Sequence, residues 1–332
     1  MRIALLSFAH VHTETYIACL RTIPDVEIIG AADDDAERGR SMTAKVGLRY
    51  SPSYEALLAE KPDGVVICCE NTRHRELIER ALAAGVPYIL CEKPLATTME
   101  DGQAIVKVVE AAHAHLMIAF PLRFSAPMRD ARQMIVSGKL GKLYGCNTTN
   151  HGQNPTRIRS WFTDKRLSGG GAVMDHTVHM VDALRWITGS EIVELYAEAG
   201  NLFPQSGIEI DTAGTLMFTF ANGAFVGLDC SWSRPTIYPT WGDFKIDFVG
   251  ERGLITVDAF AQQITTYRQS LGRPTGDFWG SDTDQGMINE FAASIREGRA
   301  PSVTAYDGLK ATEAAVAAYL SAETHQVVKM PL

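Results

Sequence analysis

Arg2-Ile3-Ala4-Leu5-Leu6-Ser7-Phe8-Ala9-His10-Val11-His12 is the stretch that decides the fold. Residues 2–6 are a short apolar run with no polar alternation, the signature of a strand buried on both faces. The apolar positions Tyr16, Ile17, Leu20 and Ile23 then follow at helical spacing. Outward from this β-turn-α unit the pattern repeats. Val26–Ala32 is a second strand ending in Asp33-Asp34-Asp35, and Ala36–Val46 a helix stopped at Gly47. Val65–Cys69, Pro87–Cys91 and His115–Phe120 are further strands, with helices expected over Ser53–Ala59, Thr72–Ala84 and Met99–His113. Strand–helix alternation with short loops predicts an α/β, doubly wound parallel sheet of Rossmann type over residues 1–120.

Beyond Phe120 the pattern changes. A helix is expected over Ala126–Ser137, a strand from Leu143, and a glycine-rich entry into a helix over 169–189. The stretch Glu191–Arg268 is strand-dominated, with tight-turn signals at Asn222-Gly223 and Arg252-Gly253. Close strands joined by tight turns predict a mostly antiparallel sheet in an α+β second domain, residues 121–332. Two helices, about 283–297 and 305–323, complete it and are free to pack back toward the first domain.

The 332 residues suit two domains at about 150 residues each. A hydrophobic fraction of 46% and a charged fraction of 21% exclude a mainly disordered chain. The net charge of −8 argues against a nucleic-acid partner. No apolar run is long enough for a bilayer or a signal-peptide core, so a cytoplasmic protein without membrane partners is expected. The six cysteines lie mostly in apolar stretches without CxxC spacing and read as buried thiols.

Ligands of a doubly wound sheet bind beyond the carboxyl ends of its strands. The turn Ser7-Phe8-Ala9-His10-Val11-His12 stands there, where a dinucleotide fingerprint would put glycines at 7, 9 and 12. It has none, although Ser7 and Ala9 are small. Asp33, 21 residues after His12, can accept hydrogen bonds from the adenosine ribose and would repel a 2′-phosphate, favouring NAD over NADP; it also reads as a solvated turn residue. His10 stands near the expected phosphate or nicotinamide ribose. His10 and His12 form an HxH pair, but two ligands do not make a metal site and no Cys or Glu is spaced nearby, so no metal is expected.

Two motifs carry the chemistry. Cys91-Glu92-Lys93-Pro94-Leu95 puts charge directly after a buried strand, so Lys93 is either a surface ammonium or a charge aimed at the cleft. Gly169-Gly170-Gly171 leads into a helix on which Asp175 and His179 share a face and Asp182 lies one turn on. That pair suits a site wall or a plain surface ion pair. Arg123, His151, Asn154, Arg157 and His176 lie in segments that could reach a substrate, while Trp161 reads as packing.

These motifs, in this order, resemble the glucose-fructose oxidoreductase/inositol dehydrogenase (Gfo/Idh/MocA) family. The markers are Ala32-Asp33, Asn71 and His74, Glu92-Lys93-Pro94, Arg123-Phe124, Gly169 to Asp182, and Pro301–Leu309. The resemblance implies a nucleotide-binding domain, a domain with a large open antiparallel sheet for substrate and oligomer contacts, and NAD(P)-dependent oxidation or reduction of a sugar, inositol or similar polyol. It implies cofactor contacts from Asp33, Asn71, His74, Glu92, Lys93 and Pro94, and catalysis by Lys93, Asp175 and His179. A histidine, with an ordinary pKa of about 6.5, exchanges an alcohol proton near neutrality, and a lysine stabilises developing alkoxide. A homodimer or homotetramer is expected. The departure at the phosphate loop leaves two rivals: a non-catalytic nucleotide- or sugar-sensing member, and a metal-dependent lyase or hydrolase using His10, His12, His176 and His179.

Overall fold

The computed structural model describes residues 1–202, 208–261, 263–278 and 281–332. Of the strand-rich stretch read over 191–268, residues 203–207 and 262 lie outside the described ones. The chain divides into two compact units. The first comprises Met1–Phe120, Arg166–Gly169 and Asp284–Leu309; the second comprises Pro121–Lys165, Gly170–Thr283 and Lys310–Leu332.

In the first unit the elements run β1 (Arg2–Leu6), α1 (Thr13–Arg21), β2 (Glu27–Ala32), α2 (Ala36–Val46), β3 (Tyr50–Ser51), α3 (Tyr54–Leu58), β4 (Gly64–Ile67), α4 (His74–Ala83), β5 (Tyr88–Cys91), α5 (Met99–Ala111) and β6 (His115–Ile118). The six strands are parallel in the order β3-β2-β1-β4-β5-β6. The direction of winding reverses between β1 and β4, so the ligand crevice of such a sheet lies over the ends of those strands. Ile3–Leu6, Val65–Ile67 and Ile89–Cys91 are fully buried, which is why they read as unbroken apolar runs. Helix starts carry side-chain caps: Asp35 accepts from the Glu37 and Arg38 amides, and Thr98 from the Asp101 amide. Tyr50–Ser51 pairs with β2 as a two-residue strand, too short for a periodic signal.

The second unit holds α6 (Ala126–Val136), β7 (Leu143–Gln153), α8 (Ala172–Thr188), β8 (Ile192–Gly200), β9 (Ala213–Phe220), β10 (Phe225–Arg234), β11 (Gly242–Gly250), β12 (Gly253–Asp258), β13 (Gln263–Arg268) and β14 (Arg273–Phe278); α7 (Lys165–Ser168) is a single turn at the chain's crossing between the units. Thr283–Glu297 forms α9, Ala305–Thr324 α10 and Val328–Lys329 β15. The main sheet runs β12-β11-β7-β10-β9-β8-β15, and β13 pairs with β14 separately. The sheet is mixed: β7 and β10 are parallel and the other pairs antiparallel. In β9, Leu216, Phe218 and Phe220 are buried while Met217 is largely exposed. The period of two puts one face against α8 and leaves the other open. All six cysteines are buried thiols. Among the described residues no helix is long and apolar enough to cross a membrane.

Candidate active site

The β1–α1 turn is held tightly. Ser7, where the first glycine of a fingerprint would stand, has φ +74°, a conformation that costs a non-glycine residue roughly 1–2 kcal/mol. Its amide donates to Ala32 O at 2.8 Å, and its Oγ accepts from the Ala9 amide at 3.1 Å. The Phe8 amide donates to Asp33 Oδ2 (2.7 Å), the His10 amide to Cys68 O (2.9 Å), and the His12 amide to His10 Nδ1 (3.3 Å). A glycine-rich loop turns such amides toward phosphate; here they are engaged within the protein. His10 is buried and His12 half-exposed, and the Nδ1 atoms of both lie close to Glu92 Oε1, at 3.1 and 3.0 Å. Burial pushes His10 down to about 4, against the pull of Glu92. Burial also presses on His12, but the Glu92 charge and hydrogen bond outweigh it and raise that ring. Glu92, although buried, is held well below the usual carboxylate range by the two imidazoles.

Around the β1–α1 turn the sequence offered only His10 and His12 as clustered ligand types. The fold adds Glu92 from the end of β5, 80 positions on. No local spacing could reveal this, because β1 and β5 come together only through the sheet order.

Asp33 ends β2 with no exposed side-chain surface. Its carboxylate accepts from the Phe8 and Asp35 amides and from Arg38 Nε and Nη2, at 2.7–2.9 Å. The solvated-turn reading of Asp33 is therefore corrected: the carboxylate is buried and fourfold bonded. Arg38, missed in the sequence, also lies 3.5 Å from Asp34 and Glu70. Asn71 Nδ2 donates to Ser168 O at 2.9 Å, while its buried Oδ1 accepts from no donor among the described residues. His74 is fully buried, with Nδ1 2.7 Å from Pro94 O, which ties the β4 loop to the Lys93–Pro94 turn; that peptide bond is cis. Lys93 is buried, so it is not a surface ammonium. An orphaned buried acceptor at Asn71 and a carboxylate at the end of β2, both at the carboxyl edge of the sheet, fit a dinucleotide. Ser7–His12, Asp33, Asn71, His74 and the Glu92–Pro94 turn would hold it.

In the second unit α8 begins at three glycines, and contacts within each unit explain them. A Cβ on Gly169 would lie 2.3 Å from Thr97, one on Gly170 2.2 Å from Tyr319 Oη, and one on Gly171 1.9 Å from Asp211 O. Asp211 caps the helix: its carboxylate accepts from the Gly171 and Val173 amides at 2.9 and 2.8 Å. Tyr319 Oη donates to Asp211 at 2.8 Å and accepts from the Gly171 and Met174 amides. Burial raises the Asp211 pKa, and burial with the Asp211 charge raises that of Tyr319. Asp211 and Tyr319 fix the first turn that carries Asp175, and neither has a local sequence signal.

Asp175 Oδ2 accepts from Trp232 Nε1 at 3.1 Å and lies 3.7 Å from His176 Nε2. His179 is half-buried one turn on. The reading of Asp175 and His179 as a plain surface pair is thus corrected, since α8 is packed against β10 and Asp175 is held by an indole. The His176 ring packs over Gly152, where an added Cβ would meet it at 3.0 Å. Arg123 grips Asp182 through Nε (2.8 Å) and Nη2 (2.5 Å), both side chains buried. Asn154 caps a short 3₁₀ turn through the Thr156 amide at 2.9 Å, and Arg157 is exposed. Trp161 stacks on Phe162 in the core. His151 sits between Asp229 (3.2 Å) and Asp243 (3.4 Å), with Arg234 at 2.8 Å. It borders a cavity of about 550 Å³ with Asp229, Ser231, Ser233 and Arg234. Despite partial burial, Asp243 and Asp229 raise the pKa of His151.

The "Oxidoreductase family, NAD-binding Rossmann fold" profile matches residues 6–120, and the "GFO/IDH/MocA C-terminal domain" profile residues 128–256. Myo-inositol 2-dehydrogenase of Thermotoga maritima is 25% identical over 99% of this chain and 98% of its own length. 1,5-anhydro-D-fructose reductase of Ensifer adhaerens is 30% identical over 58% of each chain. Among solved structures, GenD2 from gentamicin A biosynthesis, in complex with NAD, superposes with a TM-score of 0.89 at 20% identity, over 100% of this chain and 97% of that one. The two matched profiles cover most of the sequence, and the chain belongs to the GFO/IDH/MocA family of NAD-binding oxidoreductases.

Proposed function

We propose that the protein is a cytoplasmic NAD-dependent dehydrogenase or reductase acting on a secondary alcohol or ketone of a sugar, inositol or similar polyol. The observation that carries this reading is the buried amine of Lys93, held after β5 at the carboxyl edge of a doubly wound sheet. An ammonium costs several kcal/mol to bury, and such a charge in a ligand crevice suits developing alkoxide. NAD, when bound, accepts the hydride. The residues manage the rest: Lys93 donates a hydrogen bond to the carbinol oxygen, His179 takes the hydroxyl proton in oxidation and returns it in reduction, and Asp175 orients the substrate or the imidazole. The Rossmann domain (1–120) holds the cofactor and the second domain (121–332) the substrate, with His151 and His176 as polar groups for hydroxyls. The open face of the second sheet exposes Met217, Phe225 and Leu254, which supports a homodimer or homotetramer.

The NAD preference rests on Asp33. Ribose hydroxyls would take over acceptor sites that Arg38 uses, whereas a 2′-phosphate would meet the carboxylate. In calorimetry the wild-type protein is expected to bind NADH at least about tenfold more tightly than NADPH, a difference of about 1.4 kcal/mol. Asp33→Ser should weaken NADH about tenfold and strengthen NADPH, because Arg38 loses its carboxylate partner and is free to meet phosphate. An unchanged NADH/NADPH ratio in the variant would remove Asp33 from this role. The engaged amides of the β1–α1 turn favour one second reading, a non-catalytic sensing member. Folded protein that binds neither nucleotide, and reduces no NAD with inositols or sugars, would select it.

A further inference from the structure

His10, His12 and Glu92 bring three ligand atoms within 4.8 Å of one another. We propose that they form a binding site for a divalent first-row transition ion, with zinc the best match: His10 Nδ1, His12 Nδ1 and Glu92 Oε1 are the protein ligands, and water completes the set. This goes beyond the cofactor reading and stands without it.

The backbone builds the site from two places. β1 and β5 flank β4, so their ends stand about 10 Å apart, and side chains from both reach over the end of β4. The two Nδ1–Oε1 distances are 3.1 and 3.0 Å. Ligands about 2.0–2.1 Å from a tetrahedral zinc ion stand about 3.3 Å apart, so both edges of the coordination face that run through Glu92 Oε1 are already near that length. Two imidazoles and a carboxylate are a borderline donor set, suited to zinc and its neighbours; magnesium and calcium prefer oxygen alone.

Surrounding contacts hold the ligands. The other Glu92 oxygen lies 3.3 Å from the Lys93 amide, and Thr13 Oγ1 donates to His10 O at 2.9 Å. The side chains of His10 and Glu92 are buried, while that of His12 is 38% exposed, which gives an ion an entry side. The bound ion would clamp the β1–α1 turn to the end of β5.

The competing account is that Glu92 simply accepts hydrogen bonds from both rings, and a titration separates the two. The full chain is stripped with a chelator, dialysed and titrated with zinc chloride without dinucleotide, so failure of the cofactor reading cannot affect the result. One equivalent per chain, a raised Tm and tetrahedral ligand-field absorption with cobalt(II) are expected. His12→Ala and Glu92→Gln should weaken binding by more than the about 10–100-fold that outer-shell substitutions cost. His12 is partly exposed, so His12→Ala decides the matter even where Glu92→Gln fails to fold, with circular dichroism checking the fold. No saturable binding by folded wild-type protein, or binding of undiminished affinity in His12→Ala, overturns the proposal.

Discussion

Lys93→Met is expected to lower kcat by about 10²–10³-fold, the effect of removing one donor aimed at developing oxyanion charge. The side chain keeps its length and loses only the ammonium, so packing around this buried position is largely preserved. His179→Ala should lower kcat by about 10²–10⁴-fold and abolish the limb of the pH–rate profile that reports its proton. His179→Ala should keep cofactor affinity, read by NADH titration. The kcat–KM division discriminates: loss of a transition-state contact lowers kcat and kcat/KM together, whereas loss of uniform binding raises KM alone. A Lys93→Met protein with wild-type kcat and a lowered Tm would make the lysine structural. A His179→Ala protein with an intact pH limb would move the proton to another group.

The first unit was legible because its strands are buried on both faces. Ile3–Leu6, Val65–Ile67 and Ile89–Cys91 are apolar without interruption, and each is followed by a turn and a periodic helix. The second sheet was legible strand by strand, since Leu216, Phe218 and Phe220 alternate with more exposed residues, but not pair by pair. Tight turns foretold antiparallel neighbours, and the parallel match of β10 with β7, Phe225 against Gly145, joins segments 80 positions apart. Edge strand β15 is two residues long and left no periodic trace.

The same physics divides the site. EKP and the glycine–Asp–His helix are local patterns and could be read directly. The partners that fix them are not local. Glu92 meets two histidines through sheet order, Asp211 and Tyr319 meet α8 from 40 and 148 positions away, and Trp232 reaches Asp175 from 57. Arg38 was nearer, five positions past Asp33, yet the triple aspartate left Asp33 open between a ribose acid and a solvated turn, because nothing in the sequence showed that β2 buries its end.

Asp182→Ala is expected to destabilise the protein by about 3–5 kcal/mol, the cost of leaving one half of a buried ion pair without the other. The Arg123 side chain is 6% exposed and that of Asp182 1%, and the bidentate contact joins the segment before α6 to α8. Truncating the aspartate leaves a guanidinium in a place where water cannot fully resolvate it. Arg80–Glu55 supplies the control: its side chains are 42% and 67% exposed, and Glu55→Ala should cost at most about 1 kcal/mol. Denaturant midpoints at constant m measure both. The double variant Arg123→Met/Asp182→Leu removes both charges and keeps volume, so it should regain most of the loss. This also decides what Arg123 does. A bracket predicts a large stability loss on removal of its partner and recovery in the apolar pair with KM for substrate unchanged. A loss under about 1 kcal/mol in Asp182→Ala, or recovered stability with a KM raised many-fold, would return Arg123 to the substrate side.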